Sequence, residues 1–326
     1  MKKTFLSGIK PSGEIHIGNY FGATKQWVNM QRDYDAYIMV ADLHAITEPQ
    51  DPETLRRHTL ETVASLIAMG IDPDTSTLFV QSHVPEHAEL MWIFSTITAM
   101  GDLERMVVYK EKREEGKEAT AGLFMYPVLQ SADILIYKAD TVPVGKDQIQ
   151  HVELTRETAR RFNTRFGELF PLTEPHVLTD RSKILSLQDP SKKMSKSHGS
   201  NTYIGLFDEP DNIRKKIQSA VTDSGSDIVS NPQMRPGLAN LIAIYSLCTG
   251  KDTATIEAEF SGKGYKEFKE ALGDTLVSYL APLREKQTEL LSDPTTLHSI
   301  LEKGTEKART VAGKTLREVY DKVGLI

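Results

Sequence analysis

The turn after the first apolar segment of the chain carries residues suited to binding an anion. Thr4–Ile9 is followed by Lys10-Pro11-Ser12-Gly13, and His16, Gly18 and Asn19 come where a helix would begin. The free N–H groups and the positive dipole end of such a helix attract phosphate. Gly18 would let a phosphate or a flat ring approach the backbone, and His16 and Asn19 would donate to phosphate oxygens. If this segment is considered alone, the same residues could instead have purely structural roles, in a turn, a helix cap and helix packing.

A second cluster of chemically active side chains lies about 180 residues further along the chain. Lys192-Lys193-Met194-Ser195-Lys196-Ser197 follows the strand-like segment Ile184–Leu187 and places three lysines and two hydroxyls in six residues. Lysine is a flexible point charge that can follow a phosphate through a reaction. A lysine-rich segment alone is more often a solvated surface, so it is the occurrence of both clusters in one chain that favours nucleotide chemistry.

Composition limits the classes to which the chain can belong. The 326 residues include 39 Lys and Arg against 45 Asp and Glu, a net charge of −6, and 39% are hydrophobic. These values are typical of a folded globular protein, and the acidic balance argues against indiscriminate binding to nucleic acid. One cysteine, Cys248, excludes an internal disulfide framework and a cysteine-built metal site, and we expect no zinc site among the nine histidines. No apolar run reaches the ~18 residues of a membrane span, so we expect a cytoplasmic protein.

The apolar pattern changes near residue 200. Before it, strand-like segments alternate with helical periods, which predicts a parallel sheet with right-handed crossovers. The strand-like segments are Thr4–Ile9, Ala36–Ala41, Thr77–Gln81 and Val142–Gly145. After about Asn201 helical periods dominate as far as Val323. The sequence therefore predicts an α/β fold, with a parallel-sheet domain over residues 1–200 and a smaller all-helical domain over residues 201–326.

Several further segments accompany these two clusters in a characteristic order. They are Asp42-Leu43-His44-Ala45-Ile46-Thr47, Val80–His87, Tyr126–Leu135, Val142–His151 and Gly304–Arg309. Together with the HIGH-type segment His16-Ile17-Gly18-Asn19 and the KMSKS segment Lys193–Ser197, this set resembles bacterial tryptophanyl-tRNA synthetases, which are class I aminoacyl-tRNA synthetases. The resemblance extends from Phe5 to the C-terminus.

The resemblance implies an architecture and a reaction. Residues 1–200 would form a Rossmann-type catalytic domain that includes a helical dimer-forming insertion and the KMSKS loop. Residues 201–326 would form a helical anticodon-recognition domain, and the protein would be a cytoplasmic homodimer. The implied enzyme activates L-tryptophan with ATP, with Mg²⁺ bound with ATP and no zinc. It then transfers tryptophan from tryptophanyl-adenylate to tRNA(Trp) and releases AMP and pyrophosphate.

The resemblance also implies roles for individual residues. The nucleophile, the tryptophan carboxylate, is already ionised at neutral pH, so positioning and charge stabilisation must supply most of the catalysis. The implied catalytic residues are Lys193, Lys196, Asn19, His16 and Lys112, the last of which could instead be a solvated charge. The implied ATP-binding residues are Lys10, Pro11, Ser12, Gly18, Asn19, Gly145, Lys146, Asp147, Ile184, Lys193, Met194, Ser195, Lys196 and Ser197.

Asp133 is the predicted specificity residue. It lies in an otherwise apolar helical stretch, where its carboxylate could accept a hydrogen bond from the indole N–H. A ring without that donor would leave Asp133 unpaired in a dry pocket, which costs more than a lost apolar contact. The alternative is that Asp133 bonds only local backbone. The other residues expected around tryptophan are Leu6, His44, Tyr126, Gln130, Val142, Val144 and Gln148.

Four residues depart from the family pattern. Lys10 and Leu43 replace glutamines, Gln130 replaces a methionine and Lys146 replaces a glutamate. We hypothesise that Gln130 adds a polar contact near the indole edge and that Lys10 adds positive charge toward the carboxylate or the α-phosphate.

Three clusters of basic residues are candidates for RNA contact, although each is more often a solvated helix face. They are Arg156, Arg160, Arg161 and Arg165; Lys215 and Lys216; and Lys303, Lys307, Arg309, Lys314 and Arg317. The resemblance implies that the C-terminal helices meet the anticodon, where recognition needs contacts to unstacked bases as well as charge.

Three other interpretations are open at this point. A tyrosyl-tRNA synthetase would need partners for a phenol hydroxyl, and the segments Val142–Gly145 and Lys193–Ser197 favour tryptophan. A synthetase-like RNA-binding or regulatory protein without catalysis would not need the intact lysines. A nicotinamide-binding dehydrogenase would carry G-x-G-x-x-G in its first turn, and this chain does not.

Overall fold

A computed structural model of the chain describes residues 2–106, 120–145, 148–177 and 184–326. These residues contain a five-stranded sheet in which all neighbouring strands are parallel. The strands are β1 (Thr4–Ile9), β2 (Asp35–Val40), β3 (Ser76–Val80), β4 (Thr141–Val144) and β5 (Glu174–Val177). Their order in the sheet is β3-β2-β1-β4-β5. The predicted α/β fold with a Rossmann-like parallel sheet is therefore confirmed.

Four of the five strands coincide with predicted apolar segments, because strands covered on both faces are almost continuously apolar. All residues of β3 and β4 are buried. The sequence does not predict β5, because Glu174-Pro175-His176-Val177 is a polar, mostly exposed edge strand that contains a proline. The prediction that Ile184–Leu187 is strand-like is met only by an isolated bridge between Leu185 and Lys193.

The helices account for most of the remaining ordered backbone. They are α1 (Ile17–Asn19), α2 (Lys25–Met30), α3 (Asp42–Ala45), α4 (Pro52–Ala68), α5 (Glu86–Ser95), α6 (Met100–Glu104), α7 (Ala121–Ile136), α8 (Ile149–Phe166), α9 (Pro210–Gln218), α10 (Pro236–Thr249), α11 (Thr253–Glu259), α12 (Tyr265–Ser292) and α13 (Pro294–Val323). The helix that begins after His16 is not continuous, because a π-helical turn over Tyr20–Thr24 separates α1 from α2. No helix within the described ranges has the length and apolar character needed to cross a membrane.

The chain folds into two compact units. The first comprises Met1–Gly13, Trp27–Leu178 and Leu290–Ile326, and it contains the sheet and α13. The second comprises Glu14–Gln26 and Thr179–Glu289, and it contains the HIGH-type and KMSKS segments. The predicted division at residue 200 follows the change in apolar pattern, whereas packing groups α13 with the sheet. The anticodon and catalytic roles of the two predicted domains stay predictions.

A glycine allows α13 to pack closely on β3. A Cβ atom at Gly304 would lie 1.9 Å from the carbonyl oxygen of Leu78. Ala308 and Ala312 continue the same buried face. Small side chains along this face therefore set the distance between the helix and the strand.

We expect Gly304→Ala to lower the free energy of unfolding by about 1–3 kcal/mol through overpacking. Gly313→Ala on the same helix is the matched control. The nearest atom to its added Cβ is 3.7 Å away, so it should stabilise the protein by up to about 1 kcal/mol through helix propensity. Urea unfolding of both variants checks this, and equal shifts of one sign would contradict it.

Candidate active site

The carboxyl ends of β1 and β4 lie at the point in the sheet where ligands bind in folds of this kind. β1 and β4 are neighbours, and the chain leaves them toward opposite edges of the sheet. In open α/β sheets, ligands occupy the crevice at the carboxyl ends of two such strands. Lys10-Pro11-Ser12 follows β1, and Gly145 follows β4, so these predicted ATP-binding residues share that edge. Three further predicted residues, Lys112, Lys146 and Asp147, lie outside the described residues.

The HIGH-type segment forms a reciprocal helix cap. The backbone N–H of Asn19 donates to Nδ1 of His16 at 3.3 Å, and the backbone N–H of His16 donates to Oδ1 of Asn19 at 3.2 Å. His16 therefore caps the helix, as in the structural alternative given for this segment. It does not compete with a role in phosphate binding, because a neutral imidazole that accepts at Nδ1 carries its proton on Nε2. His16 thus keeps one N–H donor.

His16 is neutral at physiological pH. It is 5% exposed, and burial lowers its pKa to about 4, with the positive charges of Lys196 and Lys193 acting in the same direction. An uncharged donor can lie beside two lysines without repelling them. The arrangement is suited to a site where several donors surround one anion.

The lowered pKa predicts how pH affects stability. Unfolded His16 binds a proton near its ordinary pKa of 6.5, whereas the folded chain binds it only near 4. Stability contributed by neutral His16 is therefore present above pH 6.5 and is lost as the pH falls toward 4. Asn also caps helices but does not titrate. We expect the Tm of His16→Asn, relative to wild type, to rise as the pH falls from about 7.5 to about 4.5, and parallel Tm curves would contradict this.

The KMSKS segment is a loop anchored by backbone hydrogen bonds and by one buried side chain. The backbone N–H of Met194 donates to the carbonyl of Ile184 at 3.0 Å, and that of Ser186 donates to the carbonyl of Lys192 at 2.9 Å. The Met194 side chain is buried, whereas Lys193 is exposed and Lys196 is half-buried. Burial lowers the pKa of Lys196, and the charge of Glu14 opposes this. The methionine therefore fixes the loop while lysines flank it.

The HIGH-type and KMSKS segments meet within the second compact unit. The backbone N–H of Ile17 donates to the carbonyl of Ile204 at 3.0 Å, just after the KMSKS segment. A Cβ atom at Gly18 would lie 3.5 Å from Cβ of Met194 and 2.9 Å from Nδ1 of His16. Two clusters that are distant in sequence are therefore adjacent in the fold, as a shared phosphate site requires.

A separate network surrounds Asp133 within the first unit. Asp133 lies on α7 and is 1% exposed. Its Oδ2 lies 2.7 Å from Nε2 of His44. Its Oδ1 accepts from Nε2 of Gln81 at 2.8 Å and lies 2.6 Å from Nδ1 of His87. The alternative in which Asp133 bonds only local backbone is therefore wrong.

Asp133 is an ionised carboxylate in an apolar setting. Burial opposes its ionisation, but hydrogen bonds and charge interactions with His44 and His87 outweigh burial and hold its pKa at about 2. Leu6, Val142 and Val144, the predicted pocket walls, belong to one buried cluster that also includes Ala132 and Ile134 on either side of Asp133. A negative acceptor in such surroundings selects strongly for a ligand with a hydrogen-bond donor.

Tyr126 and Gln130 lie near this network or on the same helix, whereas Gln148 directly precedes α8. The ring of Tyr126 meets His44 edge-on with centroids 6.1 Å apart, and its hydroxyl lies 2.8 Å from Nε2 of His151. Lys10 Nζ lies 5.8 Å from the Tyr126 ring centroid. Gln130 and Gln148 are half-buried, and Gln130 is on α7 with Asp133. Their contacts with substrate stay predictions.

Three residues have no predicted role, namely Gln81, His87 and Tyr137, whose hydroxyl lies 2.8 Å from Nε2 of His87. Gln81 could have been identified, because it is the polar residue directly after the carboxyl end of β3. The side chain and backbone of Ser82 both donate to Asp42, which joins this end of β3 to the start of α3. His87 on α5 gives no such signal, because its contact depends on how α5 packs on α7.

Several basic residues of the predicted RNA-binding clusters form ion pairs with acidic side chains. Arg156 pairs with Glu174, and Arg160 pairs with Glu157. Arg161 pairs with Asp102 at 2.7 Å and with Glu157. The second and third clusters contain the pairs Lys216–Asp208, Lys307–Asp35 and Arg309–Glu86. These contacts favour the solvated-face interpretation for the first cluster.

Comparison with known proteins identifies the family of the chain. Residues 2–281 match the family described as tRNA synthetases class I (W and Y). Tryptophan–tRNA ligase 2 of Streptomyces avermitilis is 51% identical over 98% of this chain and 96% of its own length, and tryptophan–tRNA ligase of Clostridium acetobutylicum is 48% identical over 100% and 98%. Tryptophanyl-tRNA synthetase from Campylobacter jejuni, solved in complex with ADP and tryptophan, superposes with a TM-score of 0.89 at 39% identity over 99% of this chain and 100% of that one. The chain therefore belongs to the tryptophan and tyrosine family of class I tRNA synthetases, and its full-length similarity places it with the tryptophan enzymes.

Proposed function

We propose that the chain is an ATP-dependent tryptophan–tRNA ligase. It joins L-tryptophan to AMP from ATP, releasing pyrophosphate, and then transfers tryptophan to tRNA(Trp), releasing AMP. The contact between the HIGH-type segment and the KMSKS segment is the observation that supports this proposal, because neutral donors and cations that lie so close together could act on one phosphate group.

The activation step needs no general base. The tryptophan carboxylate attacks the α-phosphorus of ATP, and the bond from that phosphorus to the bridging oxygen of pyrophosphate breaks. Negative charge builds up on the departing pyrophosphate, which Lys193 and Lys196 neutralise. The Nε2–H of His16 and the side chain of Asn19 donate to phosphate oxygens. Preorganised donors of this kind usually supply the largest part of such catalysis. Mg²⁺ enters as part of the ATP substrate.

Asp133 selects the amino acid. Its carboxylate accepts from the indole N–H, the only polar group on the ring, while Leu6, Val142 and Val144 cover the apolar faces. Tyr126, Gln130 and Gln148 are the proposed neighbours of the amino-acid end or ring edge. Lys10, Pro11, Ser12, Gly145 and the backbone of Ile184 are the proposed contacts for the nucleotide. His44 orients Asp133 through its 2.7 Å contact.

A tyrosine-specific enzyme of the same family is the nearest alternative. A phenol places its hydroxyl at the far end of the ring, whereas the buried acceptor here is a single carboxylate already bound by three side chains. A non-catalytic RNA-binding protein would not need lysines arranged about His16. Both observations support tryptophan activation over these alternatives.

The partners of the second step are part of the same proposal. tRNA(Trp) would bind as the acceptor, with the helices of residues 201–326 reading the anticodon. The active protein would be a homodimer formed through the helical insertion of residues 1–200, and it would work in the cytoplasm.

Pyrophosphate exchange into ATP, measured with each of the twenty amino acids and without tRNA, tests the proposal. We expect exchange with tryptophan alone. Exchange with tyrosine would reassign the substrate, and no exchange with any amino acid would favour the non-catalytic alternative.

A further inference from the structure

The network around Asp133 continues to two residues deeper in the core. His87, on α5, is 0% exposed, and Tyr137 is 3% exposed. Nδ1 of His87 lies 2.6 Å from Oδ1 of Asp133, and Nε2 lies 2.8 Å from the hydroxyl of Tyr137. Asp133 and Tyr137 are four residues apart at the end of α7, so one imidazole links two successive turns of that helix.

The acceptor positions of Asp133 can be counted. A carboxylate has two oxygens and about four lone-pair positions. Oδ1 is used twice, by Gln81 and His87, and Oδ2 is used once, by His44. As far as the described residues are concerned, one position on Oδ2 is left to accept from a ligand. Contacts on Oδ1 therefore fix the direction in which Oδ2 accepts.

The hydroxyl of Tyr137 contacts the far side of the His87 ring. An ionised Asp133 can only accept, so Nδ1 of His87 donates to it, while the Tyr137 hydroxyl lies at Nε2 on the opposite side of the imidazole. Burial and the charge of Asp133 raise the pKa of Tyr137, so its hydroxyl stays protonated. Without this hydroxyl, His87 would still donate to Asp133 but would lose the contact on its other side that fixes the orientation of the ring.

We propose that His87 and Tyr137 are positioning residues that hold Asp133 in the orientation that discriminates for the indole N–H. The inference rests on the proposed function, because it takes Asp133 as the acceptor of that N–H. Neither residue is assigned a contact with substrate. Their effect is expected on the choice between rings and not on the chemical step.

Tyr137→Phe tests this with a matched control. Tyr37 stacks on Tyr137 with ring centroids 4.4 Å apart and is equally buried, so Tyr37→Phe removes a neighbouring phenol hydroxyl without altering the His87–Tyr137 contact. The measured quantity is the ratio of kcat/KM for tryptophan to kcat/KM for benzothienylalanine, in which sulfur replaces the indole N–H. Pyrophosphate exchange gives both values.

We expect Tyr137→Phe to lower this ratio about tenfold, as for the weakening of one hydrogen bond to a charged group, with kcat for tryptophan unchanged. Tyr37→Phe should leave the ratio at the wild-type value. An unchanged ratio in Tyr137→Phe, or an equal loss with both substrates, would overturn the inference in favour of a packing role.

Two further variants keep the result unambiguous. His87→Asn retains an N–H donor and should keep more of the discrimination than His87→Leu, and equal ratios for the two would also overturn the inference.

Asp133→Asn distinguishes failure of the positioning role from failure of the proposed function of Asp133. If it loses discrimination while Tyr137→Phe does not, only the positioning role fails. If it keeps discrimination, the proposed function of Asp133 fails, and the positioning role fails with it.

Discussion

Replacing Asp133 with Asn is expected to lower kcat/KM for tryptophan activation by about a thousandfold, as for sites built to hydrogen-bond a substrate group. The amide would offer one acceptor where the carboxylate offers two, and its NH₂ group would face donors among His44, Gln81 and His87. The indole N–H would then lose its partner. Because the ring is bound in both the ground state and the transition state, most of the loss should be in KM.

Asp140→Asn is the control for this variant. Asp140 Oδ2 accepts from the backbone N–H of Thr4 at 2.7 Å, and an Asn oxygen can accept the same bond. Its kcat/KM should stay near the wild-type value. A similar loss in both variants would mean that general destabilisation, and not recognition of the ring, explains the effect of Asp133→Asn.

Replacing Lys196 with Met is expected to lower kcat for pyrophosphate exchange by about 100- to 1000-fold, the usual range for one preorganised electrostatic contact. Lys196 is half-buried beside His16, where a charge is less screened by solvent than at the surface. It would act on charge that develops on the leaving pyrophosphate, so KM for tryptophan should change little.

The matched control is Lys192→Met. Lys192 lies four residues away and pairs with Asp189 at 3.1 Å, outside the five-residue KMSKS segment. We expect its kcat to remain within about threefold of wild type, because exposed pairs contribute little. Equal losses from the two substitutions would show that net positive charge, and not the position of Lys196, matters.

The sequence predicts most of the fold because local signals and packing agree. Asp51 caps α4 with its Oδ2 2.8 Å from the backbone N–H of Thr54, and Pro52 occupies the first turn, so both residue types stand where they favour the start of a helix. The strand β5 is not predicted because an exposed edge strand needs no apolar pattern. The division into units is not predicted at its observed bounds, because the small residues that seat α13 on β3 carry no signal of their partner.

The sequence predicts the phosphate-binding segments more completely than the residues that surround Asp133. His16 and the KMSKS lysines could be paired because both are recognisable phosphate-binding segments, and the fold brings them together. Asp133 stood out as an acid in an apolar helix. Its partners Gln81 and His87 did not, because they come from two other elements whose contact with α7 exists only after the sheet and helices have packed.

A crystal structure of the protein with tryptophan and a nonhydrolysable ATP analogue would show whether the two segments bind one triphosphate. We expect phosphate oxygens within hydrogen-bonding distance of both His16 Nε2 and the ammonium group of Lys193 or Lys196, and the indole nitrogen within hydrogen-bonding distance of Asp133 Oδ2. Phosphates held by neither or only one of the two segments, or an indole ring turned away from Asp133, would contradict it.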